Sequence, residues 1–240
     1  MITKNEMVYE GKAKKVYATN DPEFCIIHYK DDATAFNGIK KATILNKGII
    51  NNEFTAIIFN KLAKQGIKTH FIKKLNDREQ LCKKVSIIPI EVIVRNVIAG
   101  SMAKRLGIKE GTIPIRHIFE MSYKNDEYQD PLINDDHAIA LGLATDDELA
   151  QIKQMTFAIN QILCSLFDRI GIILVDFKIE FGKDSQGNII LADEISPDTC
   201  RFWDKSTLKK LDKDRFRRDL GSIEEAYYEI LSRIKTIEED

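Results

Sequence analysis

The segment Ile173–Phe181 constrains this chain more than any other. Residues 173, 175, 177, 179 and 181 are apolar, whereas 176, 178 and 180 are Asp, Lys and Glu. A period of two belongs to a β-strand, so three charged side chains share one face and the opposite face is buried. Gly182–Gly187 reads as a turn, and the chain returns through a second apolar run to Ala192-Asp193-Glu194. In a regular hairpin, facing positions lie about 5 Å apart, which brings Asp193 beside Lys178 or Glu180. Two carboxylates that close repel each other unless a cation lies between them, and oxygen-only donors suit Mg²⁺ with substrate phosphates. Alternation alone equally describes the polar outer face of an ordinary hairpin. The crowding of Asp176, Lys178, Glu180, Asp193 and Glu194 into one hairpin favours a site.

The remaining pattern is α+β. Phe24–Tyr29 and Lys68–Lys73 read as strands, and Ile50, Phe54, Ile57, Ile58 and Leu62 recur at helical spacing before Gly66. Ile87–Val97 is β-rich but holds Pro89, which predicts an edge strand or a crossing between lobes. Thr145-Asp-Asp-Glu148 and Ser222-Ile-Glu-Glu225 are capping-box patterns for two helices, the first running to Gly171. The expected organisation is two lobes, 1–88 and 89–240, joined near residues 86–92. A chain of 240 residues buries a core without staples, no apolar run is long enough to span a membrane, and the start lacks a signal-peptide core. These features predict a soluble, cytoplasmic protein with no membrane partner. The four cysteines show no C-x-x-C pair, so neither a zinc cage nor a disulfide framework is expected.

A net charge of −1 gives no support for a nucleic-acid partner. The balance is nevertheless uneven, with 16 Lys+Arg against 9 Asp+Glu in residues 1–88 and 20 against 28 in the remainder. That fits a basic part holding phosphates and an acidic part holding a metal, and equally fits an uneven solvated surface. Glu10-Gly11-Lys12-Ala13-Lys14-Lys15 can form a turn in which glycine lets backbone amides approach phosphate oxygens, or simply an exposed basic hairpin. No P-loop, dinucleotide fingerprint, paired-histidine motif or G-x-S-x-G elbow is present, so covalent catalysis by a protein nucleophile is not expected. Arg95, the Gly100-Ser101 pair at a helix start and Arg201 are candidates for gripping an anion, although each arginine taken singly is better read as a structural ion pair.

Taken together, Tyr9–Lys14 (YEGKAK), Lys30–Gly38 (KDDATAFNG), Pro89–Ser101 (PIEVIVRNVIAGS), Leu174–Gly182 (LVDFKIEFG), Asp193–Asp204 (DEISPDTCRFWD) and Lys213–Leu220 (KDRFRRDL) resemble the SAICAR synthetase family. The likeness spans nearly the whole chain. It implies a two-lobed α+β fold, an N-terminal antiparallel sheet covering nucleotide and a larger α/β C-terminal lobe, related to kinases and ATP-grasp enzymes. It implies an ATP-dependent ligase that joins L-aspartate to the carboxylate of carboxyaminoimidazole ribonucleotide (CAIR) through an acyl phosphate, releasing ADP and phosphate. By matching position, Gly11, Lys12, Ala13, Lys14 and Val16 resemble the phosphate-covering region, and Ile87 and Ile88 the adenine-facing hinge. Glu180 and Asp193 resemble Mg²⁺ ligands, with Lys178 contacting phosphate. Arg95, Gly100, Ser101 and Arg201 resemble the ribonucleotide grip, with Lys124 and Asp130 lining the cleft. The resemblance further implies a homodimer. The chain departs from members that carry Asp where it has Asn37, and Gly111–Phe119 is shorter and more apolar than in some relatives. A small-molecule kinase and a non-catalytic nucleotide-binding module remain as alternatives; only the latter has no need for Lys178, Glu180 and Asp193 together.

Overall fold

The structure, a computed structural model, describes residues 1–35 and 40–237. The strands, in chain order, are β1 (Lys4–Glu10), β2 (Lys14–Thr19), β3 (Phe24–Tyr29), β4 (Asp32–Ala35), β5 (Lys40–Thr43), β6 (Phe71–Lys74), β7 (Glu79–Lys83), β8 (Ser86–Arg95), β9 (Ile118–Tyr123), β10 (Leu132–Ile133), β11 (Ile172–Lys183), β12 (Ile189–Ala192) and β13 (Cys200–Asp204). The helices are α1 (Lys47–Lys64), α2 (Gly100–Leu106), α3 (Asp135–Ala140), α4 (Asp146–Arg169), α5 (Asp214–Arg217) and α6 (Ile223–Thr236). An antiparallel sheet in the order β1-β2-β3-β7-β6 precedes a second sheet in the order β10-β9-β8-β11-β12, in which β13 also pairs with β11. Among the described residues no helix is long and apolar enough to cross a membrane.

The alternating strand is the spine of the second sheet. β11 pairs along one side with β8 and along the other with β13 and then β12. Phe177, Ile179 and Phe181 enter the main core, together with Ile50, Phe54 and Leu62 of α1, Ile159 and Leu163 of α4, and Ile230 and Ile234 of α6. Although α1 precedes residue 88, its apolar face therefore belongs to the core that backs the second sheet. Thr145 caps α4 by accepting from the Glu148 amide while Glu148 returns a bond to Thr145, as expected.

Four expectations change. The strict alternation along β11 breaks at a register shift between Leu174 and Asp176, so Ile172 and Leu174 join Phe177 in the main core while Ile173 and Val175 pack with Val97 and Trp203. β8 is an interior strand, bonded on both sides, despite Pro89. Glu91 faces Glu180 but Ile87 faces Gly182, so residues 88–90 of β8 span a single residue of β11, and the proline sits in that bulge. Gly182 is required there, since a Cβ would fall 2.6 Å from Val85. The crossing between sheets is just Lys84-Val85. The expected strand at 68–73 is divided: Thr69 forms a parallel bridge with Leu191 of β12, and β6 then pairs with β7. The capping box at Ser222 does not form, because Ser222 is left-handed (φ 45°), whereas a capping serine needs extended backbone.

Candidate active site

A cleft of about 1030 Å³ runs between the two sheets. Its first wall begins with the glycine turn between β1 and β2, closed by Gly11 N–H donating to the Lys14 carbonyl at 2.8 Å, while Lys30 N–H bonds Ala13 O at 2.8 Å. Gly11, Lys12, Ala13, Lys14 and Val16 all line the cleft, and Ala13 and Val16 with Val8, Phe24, Ile27, Val85 and Ile87 supply its apolar end. Lys12, half-exposed, pairs at 2.6 Å with Asp126, which also lines the cleft. Lys14 points inward and pairs with both Asp193 and Glu194, the latter at 3.0 Å.

Opposite the turn, the charged face of β11 continues this pairing. Lys178 Nζ lies 2.5 Å from Glu180, 3.2 Å from Asp193 and 3.2 Å from Glu91, and Lys124 lies 2.7 Å from Glu180. Glu91 and Glu180 face each other directly across β8 and β11, a like-charge pair held by the shared Lys178. The result is an alternating line: Glu194, Lys14, Asp193, Lys178, Glu180, Lys124. Burial works against the ammonium groups of Lys14 and Lys178, yet the carboxylates beside them hold both well above the usual lysine range. Burial likewise opposes the Asp193 carboxylate, and Lys14 and Lys178 overcome it, holding Asp193 far below its usual range. Among the described residues no group of three or more His, Cys, Asp or Glu side chains is disposed to hold a metal ion. Glu180 and Asp193 are instead a carboxylate pair bridged by one lysine.

A second cluster lies one step along the same face of β11. Strand register sets Arg95, Asp176 and Arg201 side by side on β8, β11 and β13. Arg201 Nη1 donates to both Asp176 oxygens at 3.0 and 2.8 Å, and its Nε donates to Asp214 at 2.9 Å. Arg95 donates to Asp176 at 3.1 Å and to Glu120 at 2.6 Å and is buried. Gly100 has φ +57°, and a Cβ on it would lie 2.5 Å from Arg201 Nη2, so glycine is what lets the guanidinium rest against this turn. Ser101, in the first turn of α2, is exposed.

Of the residues expected from sequence, Lys124, Asp130, Lys178, Glu180 and Asp193 also line the cleft. Ile88 turns its side chain into the core. Arg95 and Arg201 meet on Asp176, with Gly100 against Arg201, and neither these three nor Ser101 is part of the cleft lining. Asn37 lies outside the described residues. The sequence reading assigned no role to His70, Glu91, Asp198, Thr199, Lys213 and Arg217, all of which line the cleft. Asp198 is buried and held by Lys47 at 2.7 Å and by the Tyr227 hydroxyl at 2.6 Å. Burial holds Lys213 below its usual range despite Asp198. Glu91 carried a usable signal, an acid within the apolar run of β8; a lone histidine or a turn aspartate carries none.

An α+β fold with a glycine–lysine turn over alternating lysines and carboxylates defines an enzyme that works on phosphorylated, anionic substrates by positioning and charge. The sequence matches the profile of the SAICAR synthetase family over residues 7–234. It is 68% identical to the phosphoribosylaminoimidazole-succinocarboxamide synthase of Fusobacterium nucleatum over 97% of this chain and 98% of that one. It is similar in structure to the same-named protein of Ehrlichia chaffeensis, with a TM-score of 0.94, 51% identity, and coverage of 96% of this chain and 98% of that one. A SAICAR synthetase solved in complex with ADP matches with a TM-score of 0.92 and 51% identity over 94% of this chain and 96% of that one. The chain belongs to the SAICAR synthetase family, the ATP-dependent ligases of de novo purine biosynthesis.

Proposed function

We propose that the cleft brings ATP, CAIR and L-aspartate together, with the apolar end taking the adenine and the charged line taking the phosphates. The observation that carries this reading is the alternation Glu194, Lys14, Asp193, Lys178, Glu180, Lys124 beneath the glycine turn. A carboxylate is inert to amines at neutral pH because it would have to expel oxide. ATP supplies a phosphoryl group that turns the CAIR carboxylate into an acyl phosphate, which the aspartate amine then attacks. Lys14 and Lys178 are placed to stabilise the charge developing on phosphoryl oxygens, with Lys12 over the outer phosphates. Backbone of the glycine turn and of Ile87-Ile88 cradles the nucleotide. Arg95, Gly100, Ser101 and Arg201 form the grip for the ribonucleotide 5′-phosphate, and Lys124 and Asp130 line the approach.

Mg²⁺ fits this donor set. Glu180 and Asp193 reach the same lysine ammonium from two sides, so a cation is already accommodated between them, and both offer only hard oxygen donors. These two carboxylates would hold the ion, which neutralises phosphate charge when bound. The division of labour follows the chain: 1–88 covers nucleotide, and 89–240 holds substrate and metal. A cytoplasmic homodimer is the assembly that accompanies this reading.

The test is one assay of purified protein with ATP, Mg²⁺, CAIR and aspartate. Equal amounts of ADP, phosphate and succinocarboxamide product, formed only when CAIR and aspartate are both present, are expected. Phosphate retained on an acceptor would identify a kinase instead. ADP formation indifferent to either co-substrate would overturn the ligase reading.

A further inference from the structure

We propose that His70 is a positioning residue that fixes Asp193 in the conformation the cleft uses; this inference rests on the reading of Asp193 as a metal and phosphate-side ligand. Asp193 directly follows β12 and is left-handed (φ 57°), a conformation that an L side chain rarely adopts unaided. The bend turns its carboxylate towards Lys14 and Lys178. Its carbonyl meets His70 Nε2 at 3.1 Å. A carbonyl can only accept, so Nε2 carries the proton and donates. The bond thus pins the main chain of Asp193 without engaging its carboxylate, which faces Lys14 and Lys178.

His70 is itself held from three directions. Its N–H donates to Leu191 O at 2.8 Å, two residues before Asp193, and its carbonyl accepts from Lys83 N–H at 2.7 Å at the end of β7. Its ring lies edge-on to Phe59 of α1, with centroids 5.8 Å apart, and the residue is only 3% exposed. The backbone of this one residue therefore joins the first sheet to β12, and its side chain sets the bend that follows. Neither ring nitrogen is needed for that backbone junction, so the imidazole has a separable role.

The distinction can be measured on the full chain. His70→Phe keeps the ring against Phe59 but removes the donor. His70→Gln keeps an amide N–H at similar reach, and His70→Asn is one carbon too short. Residues that orient a metal ligand typically change affinity or activity by about 10–100-fold. His70→Phe is expected to lower kcat by about that factor. In calorimetry it should lose about 10-fold of the Mg²⁺-dependent part of ADP affinity, with ADP affinity without metal and CAIR affinity unchanged. His70→Gln should recover most of both, and His70→Asn should not, which also serves if the Phe variant fails to fold. The inference is overturned if His70→Phe retains wild-type kcat and metal dependence, or if His70→Gln is as impaired as His70→Asn. Full activity in Asp193→Asn would overturn the reading of Asp193 and the inference with it. An inactive Asp193→Asn beside an unimpaired His70→Phe would overturn the inference alone.

Discussion

Replacing Lys178 by Met removes the charge that three carboxylates share while keeping a stem of similar length. In the folded chain Lys178 lies 2.5 Å from Glu180 and 3.2 Å from both Asp193 and Glu91. Breaking a buried pair by deleting one partner costs about 3–5 kcal/mol, chiefly from the charge left behind. Lys14 and Lys124 remain beside Asp193 and Glu180, and the Lys178 side chain is 25% exposed, so the lower end, about 3 kcal/mol, is appropriate. For a chain this long each kcal/mol moves Tm by about 2–4 °C, giving a drop of about 6–12 °C at pH 7.5. The sign with pH follows from the carboxylates. Asp193 is held far below its usual range in the wild type, against burial, by Lys14 and Lys178. That stability is present at neutral pH and is lost only in strong acid. In Lys178→Met, Asp193 loses one of the ammonium groups that hold it down, so its carboxyl rises towards its ordinary range, protonation relieves the repulsion earlier, and the deficit should shrink as pH falls from 7.5 to 5. Differential scanning fluorimetry across that range reads both quantities, and turnover should fall at least about 100-fold. A Tm within 2 °C of wild type at pH 7.5 (about 1 kcal/mol or less), or a deficit independent of pH, would refute the argument.

Lys14→Ala should weaken ATP use by about 10-fold or more, the loss of at least one charged contact, and leave CAIR affinity nearly unchanged; calorimetry showing the reverse would mean the two ends of the cleft are exchanged. Arg201→Lys should cost about 1.5–3 kcal/mol in ribonucleotide binding although charge is kept, because an ammonium cannot reproduce the fork that now spans Asp176 and Asp214. The loss should shrink for the dephosphorylated nucleoside, and equal losses would place Arg201 away from the phosphate. Burial, with Asp214 beside it, pushes the Asp212 carboxyl up to about 7. The folded state therefore binds this proton more tightly than the unfolded chain, and the contribution of Asp212 to stability falls as pH rises from about 4 to about 7, by up to about 4 kcal/mol. Asp212→Asn should lose that slope, gaining on the wild type between pH 5 and 8 in denaturant titrations; parallel curves would contradict it.

What could be read from sequence was whatever local periodicity dictates. The charged face at Asp176, Lys178 and Glu180, the capped start of α4 and the hairpin leading to Asp193 follow from side chains a few residues apart, whereas the register shift that separates Ile173 and Val175 from Phe177 does not. Pro89 misled because its compensation is non-local: the bulge exists only once β8 is set against Gly182 and Val85. Ser222 misled because a capping pattern names side chains and not the backbone angle that decides whether they can bond. Family likeness marked Arg95 and Arg201, but their meeting on Asp176 depends on the register of three strands far apart in the chain. His70 was illegible for the same reason, since its partner lies 123 residues away.

The charged line also bears on which form of nucleotide the cleft accepts. Lys14, Lys124 and Lys178 each lie beside carboxylates, drawn from Glu91, Glu180, Asp193 and Glu194. A polyphosphate arriving without metal must draw these lysines from their partners and leave buried carboxylates uncompensated, a penalty of several kcal/mol. A nucleotide carrying Mg²⁺ brings the replacement cation with it, so the lysines turn to phosphate as the carboxylates turn to the ion. Nucleotide affinity should therefore depend on metal far more than screening of phosphate charge would require. Chelation is expected to weaken ADP binding by at least about 100-fold, equivalent to roughly 3 kcal/mol, while CAIR binding at the arginine cluster changes little. In Glu180→Gln, which leaves Lys124 and Lys178 less neutralised, metal-free ADP should bind better than to the wild type. Tighter metal-free binding in that variant, measured by calorimetry in chelator, would be difficult to obtain if the lysines were already free to meet phosphate. Unchanged binding there would show that the pairing does not govern nucleotide choice.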